Sequence, residues 1–253
     1  MNASTIPDVN GKTALITGAA KRIGAETSRM LHAAGYDIVI HYNHSARDAE
    51  ALCAELNDSR SRSCTTVCAS LDDIQSLQLI IDHTVAFAGR LDVLVNNASS
   101  FYPTPLGSVT EEDWDVLFNS NLKGPLFLCQ LAAPLLKQSG GCIINMVDVH
   151  GQRPLRRHSV YCAAKAGLIM LTKSLAQELG VDGVRVNGVA PGIILWPEAG
   201  QAAQEQQELL SRTALRREGQ AADIAKTILF LSRDADYITG QILPVDGGRT
   251  VNQ

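Results

Sequence analysis

No apolar run in the chain reaches the roughly 18 residues that a membrane-crossing helix needs, and the polar start, Met1 to Val9, has no basic stretch leading into an apolar one as a secretory leader has. A cytoplasmic protein without a membrane partner is expected. Positive charge is not in excess either. Lys and Arg number 22 against 26 Asp and Glu, a net charge of −4, whereas a nucleic-acid groove needs a basic face, so no nucleic-acid partner is expected. Cysteines are few and scattered: Cys53, Cys64, Cys68, Cys129, Cys142 and Cys162 sit mostly among apolar neighbours, as small buried hydrophobes do in a reducing compartment. Only Cys64 and Cys68 are close, and no second Cys or His pair at zinc spacing follows, so no metal site is expected. No Pro- or Gly-rich linker divides the chain, and EAGQAAQEQQ (198–207) is its nearest approach to low complexity.

What is present is ordinary globular arithmetic: 253 residues, 45% hydrophobic and 19% charged, enough for one domain with a full core. One domain is expected over 1–253, with 1–10 a tail and about 193–215 a substrate-lid segment or a solvated helix. Short apolar runs alternate with stretches of helical period. The runs are TALIT (13–17), DIVIHY (37–42), TTVCA (65–69), LDVLVN (91–96), CIINMV (142–147), VRVNGV (184–189) and QILPVD (241–246). Helices are expected at about 22–34, 46–57, 73–88, 111–137, 159–180 and 220–232, with a less regular one at 197–213. This βα alternation predicts an α/β fold, a doubly wound Rossmann-type sheet of about seven parallel strands with helices on both faces.

Thr17-Gly18-Ala19-Ala20-Lys21-Arg22-Ile23-Gly24 follows the first strand and opens the first helix, where backbone amides and the helix dipole receive a pyrophosphate. The central glycine of the usual three is missing, and Arg22 stands there. The second strand ends without the acid that usually meets a ribose 2′-hydroxyl. It reads His41-Tyr42-Asn43-His44-Ser45-Ala46-Arg47, whose donors, with Lys21 and Arg22, suit a 2′-phosphate and favour NADPH over NADH. The alternative is that His44 and Arg47 only cap and solvate the second helix.

Tyr161 and Lys165 stand four apart early in a predicted helix and so share one face. An ammonium beside a phenol is expected to lower the phenol's pKa and ease proton donation near neutral pH. With TGAAKRIG, NNAS (96–99), Asn121, YCAAK and PG (191–192), the chain resembles the short-chain dehydrogenase/reductases from about Lys12 to Val251. The resemblance implies a homotetramer, catalysis by Asn121, Tyr161 and Lys165, and a water held by Asn121 that relays protons to Lys165. One departure is informative: thirteen residues before the Tyr, where the family places a Ser, stands Asp148. An ionised Asp repels a developing oxyanion but tolerates or protonates a nitrogen that gains a proton as hydride enters a C=N bond.

TGAAKRIG, HY-x-x-S (41–45), NNASSFYPTPL (96–106), NMVD (145–148) and ITG…VDGG (238–248) resemble the pteridine reductases more closely. That resemblance implies NADPH-dependent reduction of dihydropterins or dihydrofolate to tetrahydro forms, and it extends to oxidised pterins. It implies cofactor contacts at Gly18, Lys21, Arg22, Ile23, Tyr42, Asn43, His44, Ser45, Ser70, Leu71, Asn97, Ala98, Ser99, Lys165, Pro191 and Gly192. Substrate contacts follow at Arg22, Ser99, Phe101, Asp148, Tyr161 and Trp196, with Phe101 stacking on the pterin. Ser70 replaces an Asp that commonly contacts adenine, His44 replaces an Arg of the 2′-phosphate site, and Ile194 replaces a polar residue. Trp196 is either a pocket wall or packed against the protein. The cluster Arg153, Arg156, Arg157 and His158 either steers anionic substrates or is a solvated face. Two other functions remain open: a carbonyl reductase, for example of 3-oxoacyl chains, which Asp148 opposes, and a non-catalytic NADPH-binding protein, which the intact Asn121, Tyr161 and Lys165 oppose.

Overall fold

The computed structural model describes residues 8–194 and 203–251. Seven parallel strands form one sheet: β1 (Thr13–Ile16), β2 (Asp37–Tyr42), β3 (Cys64–Cys68), β4 (Val93–Asn96), β5 (Cys142–Met146), β6 (Arg185–Pro191) and β7 (Ile242–Val245), in the order β3-β2-β1-β4-β5-β6-β7. Every residue of β1, β4 and β5 is buried, which is why these strands read as unbroken apolar runs and not as alternating ones. Side-chain direction still alternates and divides the core in two. Ile16, Ile40, Val95 and Ile144 pack with Leu31 and Ile228 on one face. Leu15, Val39, Leu94 and Ile143 pack with Ile80, Leu128 and Leu179 on the other.

The covering helices are α1 (Arg22–Ala33), α2 (Ala46–Ser59), α3 (Ile74–Ala88), α4 (Glu111–Phe118), α5 (Gly124–Ser139), α6 (Ser159–Gly180), α7 (Ala203–Ser211) and α8 (Ala221–Arg233). Asp73 caps α3 by accepting from Ser76 N, and a capping box of Thr110 and Asp113 starts α4. The single helix expected over 111–137 is two, because a wide turn at Asn119–Lys123 separates α4 from α5. Of the expected lid, 195–202 lies outside the described residues, and the rest includes the short helix α7. Of the expected tail, residues 1–7 lie outside them, and Val9 is a core residue whose carbonyl accepts from Lys12 N. Cys64, Cys129 and Cys142 are buried as expected, whereas Cys68 is exposed. No helix among the described residues is long and apolar enough to cross a membrane.

The strand order reverses between β1 and β4. Loops leaving the carboxyl ends of these two strands diverge there and open a crevice, the usual ligand position of such sheets.

Candidate active site

The glycine loop leaves β1 at Thr17. Gly18 has φ +59°, and a Cβ there would lie 2.9 Å from Ala98 Cα; a Cβ on Gly24 would lie 2.6 Å from Gly18 O. These two positions need glycine for backbone conformation and close approach. Arg22, standing where the central glycine is missing, holds a left-handed φ of 55°, a conformation that costs a non-glycine residue about 1–2 kcal/mol. No side chain caps α1 and no acid stands in its first turn, so the start of the helix suits an anion. Thr17 Oγ1 accepts from Asn97 N at 2.9 Å and Ala98 N at 3.0 Å, while Asn97 Nδ2 donates to the carbonyls of Thr17 and Gly18. The loop after β4 is thereby fixed to the glycine loop, with Ile23 half-buried beside it.

At the end of β2, Asn43 and His44 are exposed, and Tyr42 and Ser45 are half-buried. Lys21 Nζ pairs with Asp48 Oδ2 at 3.1 Å, so α2 brings to this rim an acid that the strand-end reading did not include. Ser70 Oγ donates to Asp72 Oδ2, and the Leu71 carbonyl lies against Gly124. Pro191 ends β6, and Gly192 N donates to Val245 O.

The other side of the crevice is built on β5 and α6. Tyr161 is buried, and its hydroxyl donates to Asp148 Oδ2 at 2.7 Å, while Asp148 Oδ1 accepts from His150 N at 2.8 Å. Lys165, 2% exposed, donates from Nζ to Met146 O at 2.8 Å and stands 5.7 Å from the centre of the Tyr161 ring. Burial depresses the Lys165 pKa to about 8, opposed by the charge of Asp148. The Tyr161 phenol is raised well above its ordinary value by burial, then by the charge of Asp148 and the hydrogen bond to it. This corrects the expectation of a lowered phenol pKa. Helical spacing does bring Lys165 to the ring, but the hydroxyl is turned to a carboxylate and the ammonium to a carbonyl.

Asn121 is fully buried in the wide turn. Its Nδ2 donates to Ser100 O and Leu117 O, both at 2.9 Å, and its Oδ1 accepts from Ser99 Oγ at 2.7 Å. Both amide hydrogens are committed, so the side chain ties the loops together, and its oxygen keeps one lone pair beyond the bond from Ser99. Phe101 is 51% exposed. Its ring meets Tyr161 edge-on at 4.8 Å and is stacked with His158 at 4.7 Å. Thr104 N donates to Arg157 O at 2.6 Å, joining the two loops. Arg153, Arg156 and Arg157 are exposed and Ile194 is buried, while Trp196 lies outside the described residues. Sequence reasoning missed two groups. Arg249 is brought within electrostatic reach of Asp148, its charge disfavoured by burial, and nothing in its local sequence signalled this. His41, which heads the segment read as a 2′-phosphate site, is instead buried beneath the glycine loop, and a lone His inside the apolar run DIVIHY was the signal of that separate place.

A sheet that reverses its order over a glycine-containing loop, with a Tyr–Lys pair beside the crevice, defines a nucleotide-dependent oxidoreductase of the α/β class. Residues 18–250 match the family described as enoyl-(acyl carrier protein) reductase, and the chain belongs to the short-chain dehydrogenase/reductase family. It is 38% identical to the 3-oxoacyl-[acyl-carrier-protein] reductase FabG of Staphylococcus aureus, over 94% of this chain and 97% of the relative. To pteridine reductase 1 of Leishmania tarentolae it is 36% identical, over 95% and 96%. Among solved structures, it is similar to a blue fluorescent protein from a metagenomic library in complex with NADPH (TM-score 0.90, 34% identity, 96% of this chain and 99% of that one). It is also similar to a putative short-chain alcohol dehydrogenase from Sinorhizobium meliloti (TM-score 0.93, 29% identity, 98% and 100%).

Proposed function

We propose that the protein is an NADPH-dependent pteridine reductase that saturates a C=N bond of a dihydropterin or dihydrofolate, giving the tetrahydro form. The observation that carries this reading is the carboxylate of Asp148 bonded to the Tyr161 hydroxyl. Carbonyl reduction concentrates negative charge on oxygen, which a carboxylate opposes; imine reduction ends with a proton on nitrogen, which it favours.

The residues fit a phosphorylated dinucleotide. The start of α1 has no side-chain cap and no acid in its first turn, which suits a diphosphate, and glycine at position 18 lets the loop pack directly on Ala98. Gly18, Lys21, Arg22 and Ile23 would hold that diphosphate, and Tyr42, Asn43, His44 and Ser45 the 2′-phosphate. Ser70 and Leu71 would border the adenine, with Asn97, Ala98, Ser99, Lys165, Pro191 and Gly192 along the remainder. A similar solved structure with NADPH bound supports this choice. NADPH, when bound, supplies the hydride.

Tyr161, whose raised pKa keeps its proton at neutral pH, delivers that proton from its hydroxyl to the ring nitrogen beside the carbon that takes hydride. Asp148 orients the hydroxyl and stabilises the protonated nitrogen; Lys165 fixes the Met146 carbonyl under the site and offsets the charge left on Tyr161. Phe101 and Ser99 would hold the ring, Phe101 by stacking on it and shielding it from water. Oxidised pterins are further substrates to try, and a homotetramer is the assembly the family suggests.

A second reading, reduction of 3-oxoacyl chains, is favoured by the 38% identity to the Staphylococcus enzyme of that name. Purified protein given NADPH with dihydrobiopterin, dihydrofolate, folic acid or an acetoacetyl thioester separates the two. Loss of NADPH absorbance with the pterins and none with the thioester is expected; turnover of the thioester alone refutes the pteridine reading.

A further inference from the structure

We propose that His41 is a positioning residue for the cofactor's diphosphate, acting through the glycine loop; the inference rests on the NADPH reading above. His41 is the fifth residue of β2 and is 1% exposed. Its Nδ1 lies 3.2 Å from Gly18 N and its Nε2 lies 3.1 Å from Ala69 O. An amide nitrogen only donates and a carbonyl only accepts, so a single state satisfies both neighbours: neutral imidazole with the proton on Nε2. The backbone of the same residue holds the next amide, because Ala19 N donates to His41 O at 2.9 Å. One strand position therefore grips two successive amides of the loop, one by its ring and one by its carbonyl.

The consequence lies in where the loop's donors point. At φ +59° the Gly18 amide donates to His41, and without that acceptor it would be a half-buried donor lacking its partner. With His41 in place, the loop is held in the one conformation that leads into the uncapped start of α1. The ring's other nitrogen ties the same loop to Ala69, the residue before Ser70 and Leu71, so the diphosphate and adenine sides are spaced by one rigid side chain. Burial pushes the imidazole pKa down to about 4, which keeps Nδ1 an acceptor at neutral pH. Ile38, Val39 and Ile40 precede it in the strand, and an apolar residue would fill its space without offering either bond.

Two substitutions separate the bonds. H41N places its Oδ1 near the position of Nδ1 and keeps the acceptor for Gly18, while its side chain is too short for Ala69. H41Q reaches Ala69 with Nε2 and offers Gly18 no acceptor. NADPH and NADH binding by the purified chains, read by cofactor fluorescence, is compared with thermal unfolding and with the Gly18 amide resonance in a ¹⁵N-labelled sample. H41Q is expected to weaken both cofactors by the same factor, roughly tenfold for one lost hydrogen bond, and to shift the Gly18 amide. H41N is expected to recover most of that binding even where its unfolding midpoint is no higher. The shared factor distinguishes a diphosphate effect from a 2′-phosphate effect, which strikes NADPH alone. Equal losses in H41N and H41Q that follow their stabilities, or H41Q binding as tightly as wild type, overturn the role of His41. A wild-type chain that binds neither dinucleotide overturns the cofactor reading itself, and the positioning role with it.

Discussion

Serine at position 148 would exchange an acceptor for a group that also donates, at the place where the catalytic residues depart from the wider family's pattern. In the native chain the Tyr161 hydroxyl meets Asp148 Oδ2 at 2.7 Å, the length of a charge-assisted hydrogen bond, and such bonds contribute about 1.5–3 kcal/mol. If that carboxylate stabilises the proton arriving on a ring nitrogen, its loss lowers kcat/KM for dihydrobiopterin by about 10- to 150-fold. For an acetoacetyl thioester the same change removes a repelling charge and adds a donor, so kcat/KM rises by about tenfold or more. Serine also accepts from an amide two residues on, as Asp148 does from His150 N, so the local turn is retained. The assay is NADPH oxidation by wild type and D148S at saturating cofactor with each substrate. The readout is the ratio of the two specificity constants, in which any general loss of folded enzyme cancels. The Tyr161 phenol should also titrate at lower pH in D148S, because charge and hydrogen bond at Asp148 follow burial among the causes that raise it. An unchanged ratio, or one moved toward the pterin, refutes the argument from charge.

His41 makes stability depend on pH. Its folded pKa of about 4 lies below the unfolded value, so as pH falls from about 6.5 the unfolded chain takes up the proton first and stability declines until the folded pKa is passed. About 2 kcal/mol is lost at about pH 5, which urea midpoints of wild type and H41N at about pH 7 and pH 5 would show as a smaller decline in the variant; His32 and His150, also depressed by burial, add in the same direction in both. Gly18→Ala sets a Cβ 2.9 Å from Ala98 Cα at a left-handed φ and should cost about 1–3 kcal/mol by thermal unfolding, with weaker NADPH binding in parallel. Phe101→Ala removes ring stacking of about 0.5–1.5 kcal/mol and should raise KM for dihydrobiopterin by about 2- to 12-fold, with a smaller effect on KM for NADPH.

Strands were legible because a doubly covered strand has to be apolar throughout, and CIINM or VLVN admits few other readings. The break between α4 and α5 was not, since the apolar spacing continues across Asn119–Lys123 and a wide turn alters hydrogen bonding without a Gly or Pro inside it. Glycine positions were readable, whereas the left-handed backbone at Arg22, where the central glycine is missing, needed the structure. Tyr161 and Lys165 were placed together by helical spacing alone. The direction of the phenol's pKa was not accessible that way, because it depends on burial and on which oxygen the hydroxyl meets. Lys21 was assigned to a phosphate from its loop position, while its pairing with Asp48 needs the approach of α2. For His41 the local pattern marked an oddity in a strand, and only the packing of two loops against it gives it partners.

The wide turn between α4 and α5 also sets a rule for chain length. A five-residue turn carries about one residue more than an α-helical one, and each residue in a helix turns its successors by about 100° and advances them about 1.5 Å. Deleting one residue there would straighten the pair into a continuous rod. It would also swing Leu117 and the stacked Trp114 and Phe118 around the axis while Leu128, Ala132 and Leu136 stay anchored in the sheet. Asn121 would move off Leu117, and Gly124, packed against the Leu71 carbonyl, would leave it. The exposed loop at Leu106–Ser108 can gain or lose residues without touching this alignment; the stretch from Phe118 to Gly124 works as a phase-setting insert whose length is as constrained as any side chain in the crevice.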